Sequence, residues 1–204
     1  MVDFLNYLDA RKSVRHFKQQ VTISNEEIFN ILNHAANAPS GNNAQPWKVI
    51  VIKNKSVMKM LQKFSYNQEQ VTQASMIILI LGDKSHYNTD YLIANQLKHN
   101  IIQTSQIKEK TNRIKAYFSL HPEDKETAGL RLDVGLFSMN LMHVIRAFGY
   151  DSVPMRGVQF DNIMYYLHLP QEWVPILLLP VGKADKVGYR HVRESAEQFT
   201  TIID

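Results

Sequence analysis

Residues 76–81 read MIILIL, six apolar side chains in succession. A strand with one solvated face alternates apolar and polar positions, so this unbroken run predicts a strand buried on both faces, in a sheet covered by helices. WKVIVI at 47–52 and ILLLPVG at 176–182 read as two more strands, and DSVPM at 151–155 as a short one.

Helical spacing fills the intervals. A first helix is expected from Val2 to about Ala10. A second runs from Ser24 to Asn37, where Ser24 and Glu27 form a capping-box pattern, Ile28, Ile31, Leu32 and Ala35 follow at helical spacing, and Pro39 stops the chain. Further helices are expected at Ser56–Phe64 and Gln68–Ala74. The strongest signal lies later: Val134, Phe137, Leu141, Val144 and Phe148 repeat at three-four spacing, and Leu136, Met139, Met142 and Ile145 widen the stripe. Such a helix is central or buried at a subunit interface. Gly149 suits its C-terminal cap, and Asp161 is expected to cap a helix reaching about His168. Residues 83–127 are more polar and predict a helical excursion on the surface of a single domain spanning 1–204. Strands separated by helices point to a layered α/β or α+β architecture, with the strand order left open.

Composition removes much chemistry. With eight histidines and no cysteine, thiolate zinc sites, iron–sulfur clusters, disulfides and a cysteine nucleophile are excluded, and a reducing, cytoplasmic setting is expected. There is no run of eighteen apolar residues and no signal-like h-region, so no membrane association is expected. The net charge of +4 is scattered among 19 acids without a basic run, which argues against nucleic acid and favours a small anionic ligand. No GxGxxG, GxxxxGK[ST], HExxH or GxSxG pattern occurs, so neither a nucleotide crevice, a metal site nor a nucleophile is nominated.

Four clusters remain. ARKSVRHF groups Arg11, Lys12, Ser13 and Arg15, a set of forked and hydroxyl donors suited to phosphate, or else an exposed basic turn. In APSGNNAQPW, Pro39 and Pro46 stiffen a loop that Gly41 lets turn. The amides of Asn43 and Gln45 suit a heterocycle with imide and carbonyl edges; an ordinary Asn/Gly turn is the plainer reading. SVPMRG sets a strand end against Gly157, whose missing Cβ would let a flat ring approach. GYRHVR adds a second basic set, read alone as a solvated tail.

The order of these pieces, RxSxR, then PSxxNxQPW, then NQxQVxxAS, then an apolar helix running into GYDSVPMRG, then a basic C-terminal element, resembles the FMN-dependent nitroreductase family over nearly the whole chain. The resemblance implies an α+β fold with a central mixed sheet flanked by helices, in an interlocked homodimer with FMN at the subunit interface. Family members pass a hydride from NADH or NADPH to the flavin and then to a small planar acceptor such as a nitroaromatic or quinone. By position, Arg11, Lys12, Ser13 and Arg15 would meet the phosphate, ribityl chain and N1/O2 edge of the flavin. Asn67 and Gln70 would meet the ring and ribityl chain. Pro154, Met155, Arg156 and Gly157 would line the ring near N5, partly through backbone N–H groups, while His191 and Arg193 would grip the phosphate. Pro39, Ser40, Gly41 and Asn43 would reach the FMN of the other subunit. Tyr117 and Phe118 fall where the family places a lid, and one of them is expected to stack on substrate; packing of an amphipathic helix onto its own core is the plainer reading of the pair. No residue need be a nucleophile, because the flavin carries the redox step. Some members have lysine at the place of Gln70 and an acid at that of Arg156, so flavin potential and substrate preference do not transfer. A flavin store without turnover, or an enone or halo-aromatic reductase of the same fold, is the alternative.

Overall fold

A computed structural model describes residues 3–203. Val2 of the first expected helix and Asp204 of the tail lie outside them. The helices and strands follow in chain order as α1 (Phe4–Asp9), α2 (Asn25–Ala35), β1 (Trp47–Ile52), α3 (Lys55–Phe64), α4 (Gln70–Gln73), β2 (Met76–Asp83), α5 (Thr89–Lys98), α6 (Ile107–Leu120), α7 (Thr127–Ala147), β3 (Asp151–Ser152), α8 (Phe160–Tyr166), β4 (Trp173–Gly182) and α9 (Ala196–Phe199). Short 3-10 turns join several of them. No helix among the described residues is long and apolar enough to cross a membrane.

The strands form one sheet in the order β1-β2-β4-β3, antiparallel throughout. A mixed sheet is expected from the family resemblance; among the described residues the parallel pairing is one bridge, Ser13 to Ser152, at the β3 edge. All eight residues of β2 are buried, as its apolar run requires. Alternate side chains enter two cores: Met76, Ile78 and Ile80 join α2 and α7, whereas Ile77, Leu79 and Leu81 join α3 and α8. Each such side chain contributes about 1.5–3 kcal/mol of burial. That is why the run tolerates no polar residue.

Local signals account for most boundaries. Ser24 accepts from the Glu27 N–H, giving half of a capping box, while Glu27 turns away to accept from the Tyr150 hydroxyl at 3.0 Å. After α7, Gly149 takes φ +80° and donates to Arg146, and Tyr150 donates to Ile145, closing the helix in a Schellman pattern. Asp161 does not cap α8. The cap falls two residues earlier, on Gln159, and Asp161 sits in the first turn, where a carboxylate suits the positive helix end.

Candidate functional site

The segment after α1 is laid along the edge of the sheet. Val14 donates to Ser152 at 3.2 Å, Lys18 to Lys183 at 2.8 Å, and Asp185 donates back to His16 at 2.9 Å. Val14 and Phe17 point into the core, which turns Arg11, Lys12, Ser13 and Arg15 toward partly exposed ground. The C-terminal segment returns over them. A Cβ on Gly188 would lie 2.7 Å from the Ser13 carbonyl oxygen, so only glycine lets the two backbones approach this closely. Tyr189 carries the Arg15 guanidinium over its ring at 5.5 Å.

The two basic clusters of the sequence therefore meet. Burial, followed by the positive charges of Arg193 and Arg146, pushes the Arg11 guanidinium below its ordinary value. Among the described residues the ion pairs are Lys48–Asp83, Lys84–Glu126, His86–Asp83 and His121–Glu123, and none involves this group. The His191 Nδ1 is buried with no hydrogen-bond partner. Arg146 is taken up by the Tyr7 carbonyl and ring, so Arg11 and Arg193, with the unpartnered His191 ring two residues before Arg193, are the cradle groups an anion would complete.

Gln70 is buried and points its amide at Gln68 Oε1 (2.7 Å) and Met155 Sδ (3.8 Å), bringing NQEQ and SVPMRG together. Asn67, left-handed at φ 57°, precedes it. Pro154 leads into Met155, whose backbone exchanges hydrogen bonds with Leu178 at 2.8 and 3.0 Å. The Met155 N–H, expected among the donors for a ring, is thus committed to the sheet. The N–H groups of Arg156 and Gly157 donate to no backbone carbonyl among the described residues, and a Cβ on Gly157 would meet nothing within 4 Å. A planar group has both donors and room there.

The amide loop lies elsewhere. It leads into β1, at the opposite edge of the sheet from β3, and its buried residues Ala38 and Ala44 join the α2–α7 core, whereas Val14 and Met155 belong to the other core. At a strand spacing of about 4.8 Å the two edges are roughly 14 Å apart. The turn in this loop is made by Asn42, Asn43 and Gln45, at φ 51°, 56° and 47°, rather than by Gly41; asparagine tolerates that region best after glycine. Ser40 Oγ accepts from the Gln45 N–H at 2.9 Å, and the Gln45 amide donates to Asn43 at 3.3 Å.

What holds the loop is Asp133 of α7, a residue the sequence reading passes over. Its buried carboxylate accepts from the Gly41 N–H at 3.0 and 3.1 Å and from the Tyr87 hydroxyl at 2.7 Å. Burial, then the bond to Asp133, pushes the Tyr87 hydroxyl well above the ordinary phenol range, so it stays a donor. One signal was present: an acid on the buried stripe of the most apolar helix, between Leu130 and Val134. We expect Asp133→Ala to leave both donors unpaired, at about 1–3 kcal/mol each. A lowered urea midpoint, partly recovered in Asp133→Asn, checks this; an unchanged midpoint would mean the loop is held otherwise.

Pro39, Ser40, Gly41 and Asp133 line a cleft of about 240 Å³ with Tyr117, Phe118, Asp124, Gly129, Leu132 and Leu136. The expected lid residues separate here. Phe118 is 6% exposed and packs edge-on against Tyr87 at 6.3 Å, so it is core. Tyr117 is 39% exposed, its hydroxyl donating to Asp124, and alone presents a ring.

The model of the Nitroreductase family matches residues 8–183. The chain belongs to that family. Among its relatives, the candidate NAD(P)H nitroreductase YdgI of Bacillus subtilis is 36% identical, with 94% of this chain and 93% of that one covered. A nitroreductase-like protein of Streptococcus mutans, 51% identical, superposes with a TM-score of 0.95 over 99% of this chain and 98% of its own. A candidate nitroreductase of Exiguobacterium sibiricum, solved in complex with FMN, is 31% identical with a TM-score of 0.88 over 100% and 98%. The nitroreductase fold thus extends over both edges of the sheet, the cradle and the amide loop alike.

Proposed function

We propose that the whole chain, 1–204, is one FMN-binding unit of a homodimeric oxidoreductase that uses NADH or NADPH to reduce small planar acceptors of nitroaromatic or quinone type. The observation carrying this reading is the mutual repulsion of Arg11 and Arg193, which have no carboxylate partner among the described ion pairs, together with the orphaned His191 Nδ1 and the N–H groups of Arg156 and Gly157 that no backbone carbonyl takes. FMN fits that donor set, and when bound it supplies the hydride chemistry. The neighbour solved with FMN agrees with the choice of flavin.

In this reading Arg11, Lys12, Ser13, His191 and Arg193 hold the phosphate. Arg15, steadied over Tyr189, supplies positive charge at the pyrimidine edge, where negative charge develops on reduction. Arg156 and Gly157 donate toward the N5 side, whereas Met155 contributes its side chain, with Asn67, Gln70 and Pro154 along the ring and ribityl chain. Pro39, Ser40, Gly41 and Asn43 lie at the far edge of the same sheet, so they serve the flavin of a second copy. That makes the dimer part of the site. Tyr117 covers the acceptor.

An apolar stripe supports the pairing. Leu132, Leu136 and Met139 of α7 are 63%, 41% and 42% exposed, and Gly135 shares their face with nothing within 4 Å of its Cβ. Purified protein should be yellow, be bleached by NADH or NADPH in the absence of air, and turn over either nucleotide continuously once a quinone or nitrofuran is added. Colourless protein that neither binds added FMN nor consumes either nucleotide would overturn the proposal.

A further inference from the structure

The cleft beside the amide loop carries charge of one sign. Five of its lining side chains, Pro39, Phe118, Leu132, Leu136 and the Tyr117 ring, are apolar or aromatic, and the ionisable groups besides Tyr117 are the carboxylates of Asp133 and Asp124. Neither carboxylate has a cation partner among the described ion pairs. Both are fixed by neutral donors, Asp133 by Gly41 and Tyr87, Asp124 by the Tyr117 hydroxyl. A neutral hydrogen bond holds a carboxylate in place without cancelling its charge, and apolar walls screen that charge less than water does.

We propose that this cleft selects its acceptor by charge: neutral or cationic single-ring and fused two-ring electrophiles enter, and anionic ones of the same shape are rejected. The inference rests on the reading that the cleft is where acceptors meet a flavin. About 240 Å³ admits one or two fused rings. Asp133, held by Gly41 and Tyr87, and Asp124, bonded to the Tyr117 hydroxyl, repel a carboxylate or sulfonate on the entering molecule.

The test is a pair of matched comparisons on the FMN-loaded protein at low ionic strength: 4-nitrobenzamide against 4-nitrobenzoate, and 1,4-naphthoquinone against its 2-sulfonate. The neutral member of each pair should show a kcat/KM at least tenfold higher, the ratio shrinking as salt is added. Asp124→Asn keeps an oxygen acceptor for Tyr117 and removes the charge, so it should bring both ratios several-fold closer to one. Equal kcat/KM within each pair, or ratios that Asp124→Asn leaves unmoved, would overturn the inference. A preference for the anions would do so too, and would assign selection to the Arg156 guanidinium instead. Turnover of none of the four compounds would defeat the proposed oxidoreductase function itself, so the two failures are distinguishable.

Discussion

Replacing Arg11 and Arg193 together with alanine should yield a folded protein that purifies without flavin. Each guanidinium bound to a phosphate contributes charge-assisted hydrogen bonds of about 1.5–3 kcal/mol, or roughly 10- to 150-fold in affinity, so the double variant should bind FMN by three orders of magnitude or so more weakly. Neither residue supports the fold through an ion pair. Removing Arg11 also relieves its repulsion with Arg146, so the thermal midpoint of the apoprotein should hold or rise slightly. Fluorescence titration with FMN reads the first effect and a thermal melt the second. Unaltered FMN affinity would place the phosphate elsewhere.

Gly135→Leu offers an effect of opposite sign in the two assembly states. In a lone chain it should stabilise α7 by about 1 kcal/mol, because glycine in a helix interior costs that much and the added side chain meets open space. In a dimer packed through the Leu132–Met139 stripe, the same side chain holds the two helices apart. We expect light scattering to show monomer and the bound flavin to be lost with the dimer, since each cradle would then lack the loop of its partner. A stable dimer that keeps its FMN would show that α7 is not the seam.

The frame of the fold was legible because its signals are periodic and redundant. Six successive apolar residues leave β2 no reading but a buried strand, and the repeat from Val134 to Phe148 leaves α7 none but a long packed helix. Single-residue geometry was less legible. Asp161 and Gln159 both stand before a helical run, and sequence preference chose the better cap over the one the backbone uses. Gly41 looked like the turning residue, yet the left-handed positions fell to Asn42, Asn43 and Gln45, because Gly41 is held by its N–H to Asp133, far away in sequence. Phe118 and Tyr117 are adjacent and equally aromatic; only the orientation of α6 decides that one packs and the other faces the cleft. The Met155 N–H was lost as a ring donor for a similar reason, since its bridge to Leu178 depends on where β4 lies.

The central place of β2 also has a consequence for how the chain is made. Its pairing with β1 closes across a short stretch, Ile52 to Ile77, whereas its pairing with β4 joins Met76 to Val181. On the ribosome, a ribbon of β1 and β2 can form early, but its other margin stays open until residue 182 has left the exit tunnel. For the time it takes to synthesise about half the protein, the most apolar segment presents unsatisfied N–H and C=O groups to any neighbouring nascent chain. The same continuous hydrophobicity that makes this strand unmistakable in the finished molecule makes it the segment most in need of protection during translation.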